Sequence, residues 1–363
     1  IKSERLVPNT HLKSVADRDM ALIERTIRGF REATGTDIGL RIDIAEYPDE
    51  QPGAIGYLQA GDTELKLAIE VKAQPTRAFT GYLYQKFTRY LPADRGLLVA
   101  EYINPAMAER LKEQDIWFID AAGNAYINHT PIYIYVKGNK PLEQVGKRNK
   151  PRAFQPTGLK VVFALLCHPE LVNAPYREIA QVADVALGTV GWIITDLKDM
   201  GYIVELGKRK RRLKEIKKLF DRWVEAYPEQ LRPKLVLGNY TTSEQGWWKD
   251  NRLDKLPVYL GGELAGEYLT DYLTPEIKTV YVREKPQDLQ LLFRMRKDPE
   301  GDIKLLEAFW KVKCDYKNGK DIVKKIAHPI LVYADLLATG EPRNIETAEM
   351  IYEKNIAEHF RET

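Results

Sequence analysis

The sequence has few of the residues that build disulfide frameworks, metal centres and membrane spans. Cysteine occurs only at Cys167 and Cys314, the 5 histidines are scattered, and there is no H-E-x-x-H motif. Two cysteines cannot form a disulfide framework or a cysteine-rich zinc site. The longest strictly apolar run is the seven residues 161–167, whereas a membrane-spanning helix needs roughly 20. We therefore expect a soluble, cytoplasmic protein that binds no metal and does not enter a membrane.

The sequence also lacks glycine-rich phosphate loops and any large excess of charge. Neither G-x-x-x-x-G-K-[ST] nor G-x-G-x-x-G occurs, so P-loop and dinucleotide-binding functions have no support. The net charge is +3, but residues 137–152 carry +5 and residues 208–218 carry +7, which leaves −9 on the rest of the chain. Such clustering of basic residues indicates a polyanionic partner.

The order of predicted elements divides the chain into three folded regions and a linker. We predict helices at 17–34, 79–90, 105–114, 158–168, 175–182, 186–200, 214–227, 262–273, 303–311 and 347–360, and strands at 40–47, 55–59, 65–73, 96–102, 116–120, 125–127, 132–137, 202–206 and 278–283. Residues 1–137 then form an α/β domain, and residues 138–156, with three prolines and several basic residues, form a linker. Close-set helices fill residues 157–213, and residues 214–363 form a mixed α/β domain. The predicted fold class is α/β and α+β, multidomain.

Residues 158–212 have the spacing of a winged helix-turn-helix. A short turn near Asp184 separates the second and third predicted helices of this region, at a position where glycine is common. The small core that this arrangement needs is supplied by Ile179, Ala180, Val185, Val190, Ile194 and Leu197. A recognition helix presents its N-terminal residues to base edges in the major groove, so Gly188 and Thr189 are expected to face DNA.

The remaining candidate DNA contacts are basic. Arg177 lies on the second predicted helix and Lys198 on the third, and the strand 202–206 runs into a basic tip that would be the wing. The tip consists of Lys208, Arg209, Lys210, Arg211 and Arg212. Lysine and arginine side chains at such a tip contact DNA phosphates or enter the minor groove. A basic run alone is usually a solvated face, and three helices can also serve protein contacts, but the combination favours double-stranded DNA.

The strand at 65–73 contains Glu70-Val71-Lys72, in which a carboxylate and an ammonium share one strand face. This pattern resembles the E-x-K strand of the PD-(D/E)XK nucleases, and Gln85 on the next helix resembles the Gln…Tyr element of some members. In those enzymes the acid binds Mg²⁺ and the lysine positions or activates the attacking water. The alternative interpretation is an ordinary strand in which Glu70 and Lys72 form salt bridges and have no catalytic role.

A second acid is expected at the start of the preceding strand, where this sequence has Gly53. One carboxylate is a poor Mg²⁺ site for phosphodiester cleavage. Asp43, Asp49 or Asp62 could substitute only in a different strand register. We therefore predict a nuclease-like fold that has lost catalysis, with Glu70, Lys72 and Gln85 as vestigial residues.

Three stretches together resemble the AbiEi family, the DNA-binding antitoxins of type IV toxin–antitoxin systems. They are residues 119–127, a strand-turn-strand around Gly123-Asn124; residues 176–202; and residues 331–348, which include Arg343. The resemblance implies a transcriptional regulator that binds its own promoter. It also implies a nucleotidyltransferase-like partner toxin, whose effect the regulator opposes without forming a stable protein–protein complex with it. The winged helix is central here, whereas the family has it at the N-terminus.

These observations give three hypotheses. The first is a non-enzymatic, double-stranded-DNA-binding regulator of the AbiEi type without a cofactor, and dimeric because two half-sites give usable specificity. The second is a Mg²⁺-dependent nuclease targeted by the winged helix, with Glu70 and Lys72 catalytic. The third is a scaffold that holds a toxin directly through residues 220–363.

Overall fold

The computed structural model describes residues 10–35, 39–43, 54–60, 63–72, 75, 77–89, 95–140, 151–207, 210–311 and 325–361. The chain divides into two compact units, residues 1–148 and residues 149–363. Both units combine helices with β-sheet, in agreement with the predicted mixed α/β class. Among the described residues no single helix is long and apolar enough to span a membrane.

The first unit is a seven-stranded sheet with its helices. Its elements are α1 (Thr10–Thr34), β1 (Leu40–Asp43), β2 (Ala54–Ala60), β3 (Thr63–Lys72), α2 (Arg77–Arg89), β4 (Arg95–Ala100), α3 (Pro105–Glu113), β5 (Trp117–Asp120), β6 (Ala125–His129) and β7 (Ile132–Val136). The strands lie in chain order, and only β3, β4 and β5 are parallel to each other. Parallel neighbours need crossover connections, which α2 and α3 provide. Each helix and strand predicted for this region has a counterpart.

The stretch 119–127 folds as a strand-turn-strand closed by the buried carboxylate of Asp120. That carboxylate accepts hydrogen bonds from the backbone N–H groups of Ile103 (2.7 Å), Ala122 (2.9 Å) and Asn124 (2.8 Å), and from the side-chain amide of Asn124 (2.8 Å). Burial raises the pKa of Asp120, and these donors act against the rise. Gly123 has φ +84°, a conformation that glycine adopts without strain. The stretch therefore serves the fold of the first unit.

The second unit contains three helices, a hairpin and a five-stranded sheet with further helices. Its elements are α4 (Pro156–Cys167), α5 (Tyr176–Ala183), α6 (Leu187–Asp199), β8 (Ile203–Glu205), β9 (Arg211–Leu213), α7 (Ile216–Gln230), α8 (Arg232–Leu235), β10 (Val236–Thr241), β11 (Val258–Gly261), α9 (Gly262–Thr270), β12 (Lys278–Val282), α10 (Pro286–Leu292), β13 (Arg296–Lys297), β14 (Ile303–Glu307), α11 (Pro329–Thr339), α12 (Pro342–Ile351) and α13 (Ala357–Arg361). The sheet order is β11-β12-β14-β10-β13, with β12 and β14 parallel. Strands β8 and β9 form a separate antiparallel hairpin.

One aromatic core joins the three helices to the rest of the second unit. Phe163 of α4 stacks on Trp223 of α7 with ring centroids 5.2 Å apart and packs against Phe309 at 5.1 Å. The Trp223 indole N–H donates to the carbonyl of Leu159 at 2.9 Å. The predicted regions 157–213 and 214–363 thus share their packing, and both lie in the compact unit 149–363.

The helix predicted at 303–311 is wrong, because residues Ile303–Glu307 form the central strand β14. This strand pairs with β12 on one side and with β10 on the other. Ile303, Leu305 and Leu306 are all buried, so apolar residues point to both faces of the sheet. A short apolar run of this kind cannot be distinguished from a buried helix by periodicity alone.

The predicted linker at 138–156 is folded at its C-terminal end. Residues Arg152–Phe154 form a 3₁₀ turn, and Pro156 begins α4. Ala153 and Phe154 are buried, and the Ala153 N–H donates to Asp196 of α6 at 3.1 Å. Residues 141–150 of the segment lie outside the described part of the chain.

Candidate nucleic-acid interface

Helices α5 and α6 are joined by the three residues 184–186 and are bent by 101° relative to each other. Helices joined by a 3–4-residue turn at about 90–120° form a helix-turn-helix. Asp184 ends α5 with φ 52°, the left-handed conformation that aspartate adopts more readily than most residues. Its carboxylate pairs with Lys311 Nζ at 2.7 Å, which fixes the turn where glycine was expected.

The predicted small core holds these helices together. Five of its members are buried, namely Ile179, Ala180, Val190, Ile194 and Leu197, and Val185 is half-buried. With these residues turned inward, the opposite side of α6 faces solvent along Gly188, Trp192, Thr195 and Asp199. That spacing of four, three and four residues is one face of an α-helix.

Three of the predicted contact residues lie in the first turns of α5 and α6. Gly188 is exposed and Thr189 half-exposed in the first turn of α6, and Arg177 is exposed in the first turn of α5. Lys198 lies instead in the last turn of α6, about 13 Å along the axis from Thr189 at 1.5 Å per residue. It forms an ion pair with Glu205 of β8. The structure therefore does not place Lys198 beside Gly188 and Thr189.

The hairpin β8–β9 follows α6 directly. The Leu206 N–H donates to the carbonyl of Lys210 at 2.7 Å, next to the strand pairs that close the hairpin. Lys210 and Arg212 are exposed. The Arg211 guanidinium lies 5.1 Å from the ring centre of Tyr176 on α5 and donates to the carbonyl of Ala174 at 3.3 Å. Lys208 and Arg209 lie outside the described residues.

Two residues of this surface escaped the sequence-based prediction. Trp192 stands on the outward face of α6 with 61% of its area exposed, and the Arg152 guanidinium lies 4.7 Å from its ring centre. Both line a surface groove of about 470 Å³. The other lining residues are Gln155, Thr157, Gly158, Ala186, Gly188, Thr189 and Ile193. A sequence signal existed for Trp192, because it follows Gly188 by four residues and so shares its face.

The E-x-K strand of the first unit has a different environment. The Glu70 carboxylate pairs with Lys86 of α2 at 2.5 Å, and both side chains are about 15% exposed (16% and 14%). Lys72 lies with its ammonium 5.1 Å from the ring centre of Phe79. Gln85 belongs to α2, but its side chain lies outside the described residues. The acid is therefore neutralised by a lysine from the crossover helix.

None of the positions considered for a second acid brings a carboxylate to Glu70 in the described part of the chain. Gly53, Asp49 and Asp62 lie outside that part. The backbone of Asp43 pairs with Ile55, which pairs in turn with Ala68, so Asp43 is two strands away from β3. No group of three or more His, Cys, Asp or Glu side chains that could hold a metal occurs among the described residues.

A buried polar cluster lies in the second unit around Asp335 of α11, whose side chain is 1% exposed. Its carboxylate accepts hydrogen bonds from Arg232 (2.8 Å) and the Tyr281 hydroxyl (2.7 Å), and Tyr227 lies 2.6 Å from that hydroxyl. Burial and then the charge of Asp335 raise the pKa of both phenols well above their ordinary value. Both hydroxyls therefore stay protonated and hold α7, β12 and α11 together.

Arg343 of α12 forms ion pairs with two carboxylates of the second unit. It pairs with Glu263 at 3.2 Å and Glu276 at 2.7 Å. The buried Glu263 carboxylate also accepts from the Asn344 amide at 2.9 Å. Polar residues of the stretch 331–348 thus connect α11 to β12 through Asp335 and α12 to α9 through Glu263.

Comparison with known families gives a partial match. Residues 212–357 match the family model described as transcriptional regulator, AbiEi antitoxin, type IV toxin–antitoxin system. This region covers 146 of the 363 residues, begins in β9, and contains the stretch 331–348 but no part of 119–127 or 176–202. The C-terminal part of the chain is thus similar to antitoxins that regulate transcription. No curated protein and no solved structure matches the chain.

Proposed function

We propose that the protein is a double-stranded-DNA-binding transcriptional regulator of the AbiEi antitoxin type, which binds DNA through a winged helix-turn-helix at residues 157–213. The observation that carries the proposal is the pair α5–α6, bent by 101° across a three-residue turn and followed by a basic hairpin. In such motifs the N-terminal part of the second helix meets base edges in the major groove. Here that part is the solvent-facing first turn of α6.

The charge distribution around α6 supports DNA as the ligand. Arg177 at the start of α5 and Lys210 and Arg212 of the hairpin are exposed cations. Arg211 is held beside α5 by Tyr176, and the sequence adds Lys208 and Arg209 at the hairpin tip. Cations in these positions bind phosphates irrespective of sequence and fix the register of the reading helix.

The regulatory role rests on the family match of residues 212–357. An antitoxin of this type opposes a toxin, which we propose to be nucleotidyltransferase-like. We further propose that the protein acts as a homodimer, because a dimer reads two half-sites and thereby reaches useful specificity. The segment 157–213 shares a core with the matched region, which supports one regulator rather than two independent modules.

The test is a titration of the purified full chain against labelled DNA from its own upstream region and against unrelated DNA. It is carried out at 50 mM and 200 mM salt, with and without Mg²⁺. We expect preferential, salt-sensitive binding of the upstream DNA without cleavage. Equal binding of both DNAs, or none, would contradict a sequence-specific regulator.

The nuclease remains the second candidate, favoured by the order of elements in the first unit. A helix, three antiparallel strands, a helix and a parallel strand place Glu70 and Lys72 at the end of β3 next to α2. The residues do not fit a Mg²⁺ site, because Glu70 is paired with Lys86 and one carboxylate provides too few ligands. Mg²⁺-dependent nicking of plasmid DNA that Lys72→Ala abolishes would establish this candidate.

A further inference from the structure

The outward face of α6 carries none of the arginine, lysine, asparagine and glutamine side chains that most often read bases. Its residues Gly188, Trp192, Thr195 and Asp199 offer an indole N–H, one hydroxyl and one carboxylate, and the Thr195 hydroxyl already donates to the carbonyl of Gly191 at 3.0 Å. Arginine and lysine read guanine, and asparagine and glutamine read adenine. The solvent-facing first turn of α6 contains none of these, so an arginine or lysine that reads guanine beside it must come from another element.

Arg152 is the group that the fold delivers to this face. It begins the 3₁₀ turn before α4, and that turn is anchored by buried Phe154 and by the hydrogen bond from Ala153 to Asp196. The Arg152 guanidinium then lies 4.7 Å from the ring centre of Trp192, in the groove that Gly188 and Thr189 also line. The guanidinium of Arg152, from the segment before α4, thus lies beside the first turn of α6.

The stack leaves the hydrogen-bonding edge of Arg152 available. Within the part of the chain that the structure describes, its guanidinium forms no hydrogen bond and no ion pair. Arg211 is the useful contrast, since it also stacks on an aromatic ring but donates to the carbonyl of Ala174 at 3.3 Å. A planar guanidinium whose face is held by an aromatic ring presents its fork of N–H donors with little loss of rotamer freedom. That fork matches the O6 and N7 acceptors of guanine.

We propose that Arg152, positioned by Trp192, is the specificity-determining residue of this interface and reads a guanine in the major groove. Gly188 contributes by leaving the space beside it open, because a Cβ built there meets no atom within 4 Å. This proposal rests on the DNA-binding function proposed above. It predicts that each half-site of the preferred DNA contains a guanine that only Arg152 distinguishes.

The experiment selects preferred sites from a randomised duplex library with the wild type and with Arg152→Ala, Arg152→Lys and Arg211→Ala. The wild type should require a G·C pair at one position of each half-site. Arg152→Ala should accept any pair there, with discrimination reduced roughly 5- to 150-fold, whereas Arg152→Lys should keep part of the preference because lysine also donates to guanine. Arg211→Ala should weaken all sequences evenly and keep the preference, because its role is to contact phosphate.

A chemical substitution in the DNA makes the assignment specific to one acceptor. Replacing the selected guanine by 7-deazaguanine removes N7, so it should weaken the wild type and leave Arg152→Ala unchanged. Trp192→Ala should lose discrimination while Trp192→Phe keeps most of it. Thermal unfolding of each variant separates these effects from loss of fold.

The outcomes distinguish the two proposals. If the wild type selects no sequence and binds no DNA, the proposed function fails. If the wild type selects a site and Arg152→Ala selects the same site, only the role of Arg152 fails. If Arg152→Ala weakens every sequence evenly and keeps the preference for G·C, Arg152 is a phosphate contact and the guanine assignment is overturned.

Discussion

The β3 surface and the α6 surface differ in where their polar groups find partners. On β3, the Glu70 carboxylate is held by Lys86 and both side chains are mostly buried. Around α6, Arg177 and Arg152 extend into solvent, and Arg152 rests on an aromatic ring rather than on a carboxylate. A group whose charge is neutralised inside the fold contributes to stability, whereas a group with unused donors can bind a ligand. The difference favours a structural role for the first surface and supports the DNA-binding role that we propose for the second.

The largest effect that we predict is on the stability of the first unit. Lys86→Met leaves the mostly buried Glu70 charge without its partner and should lower the free energy of unfolding by about 2 kcal/mol, between the values for exposed and fully buried pairs. Urea denaturation measures the loss. The control is Glu70→Gln combined with Lys86→Met, which removes both charges and should recover part of it. DNA affinity should not change, and a parallel loss of affinity would contradict the separation of the two surfaces.

The next effect concerns the hairpin. Arg211→Ala combined with Arg212→Ala removes two cations that we assign to phosphate contacts, and should weaken binding to every sequence by about 10- to 20-fold at physiological salt. The slope of log K against log salt should fall by about 1.8 in magnitude. Fluorescence anisotropy at several salt concentrations measures both quantities. An unchanged slope would show that the hairpin does not touch phosphates, and an unchanged unfolding midpoint is the control for the fold.

A smaller effect should come from Gly188→Ala. The added Cβ meets no protein atom within 4 Å, and alanine favours the helix by up to about 1 kcal/mol, so the free protein should be as stable or more stable. If DNA approaches this turn closely, overpacking should cost about 1 kcal/mol, or about fivefold in affinity. Gly191→Ala is the matched control, since its Cβ would make an ordinary contact with Tyr176 at 3.7 Å. Equal losses for both variants would place the DNA elsewhere along α6.

The smallest effect is expected for Lys198→Ala. Its ammonium already has Glu205 as a partner, and the pair is exposed, so stability should change by less than about 1 kcal/mol. DNA affinity should fall less than for the hairpin variant, because Lys198 lies at the far end of α6. The same anisotropy titration compares the two. A loss as large as that of the hairpin variant would mean that α6 contacts DNA along its whole length.

The local elements of the proposed interface were predictable from the sequence, since their signals are local. The helices predicted at 158–168, 175–182 and 186–200 match α4, α5 and α6 within two residues at each end. Their apolar residues recur with helical period, and prolines and glycines mark the ends. Gly188 and Thr189 followed from the position of the turn.

The parts that escaped prediction depend on contacts between distant segments. Asp335 finds Arg232 103 residues earlier in the chain, and no spacing rule connects the two. Arg152 was assigned to a linker from the sequence. Its position beside α6 depends on the packing of Ala153 and Phe154 against the three helices, which the local sequence does not reveal. β14 was missed for a similar reason, since its two neighbouring strands decide its conformation.

The aromatic core around Phe163 has a consequence for how such a protein can change its target during evolution. The segment 157–213 completes its core with Trp223 and Phe309, which follow it in the chain, and its turn with Lys311. A segment that depends on later residues in this way cannot be exchanged as a cassette between related chains by recombination. Under the DNA-binding function that we propose, a new preferred site would instead arise by point substitution at solvent-facing positions such as Arg152, without a change in the shared core.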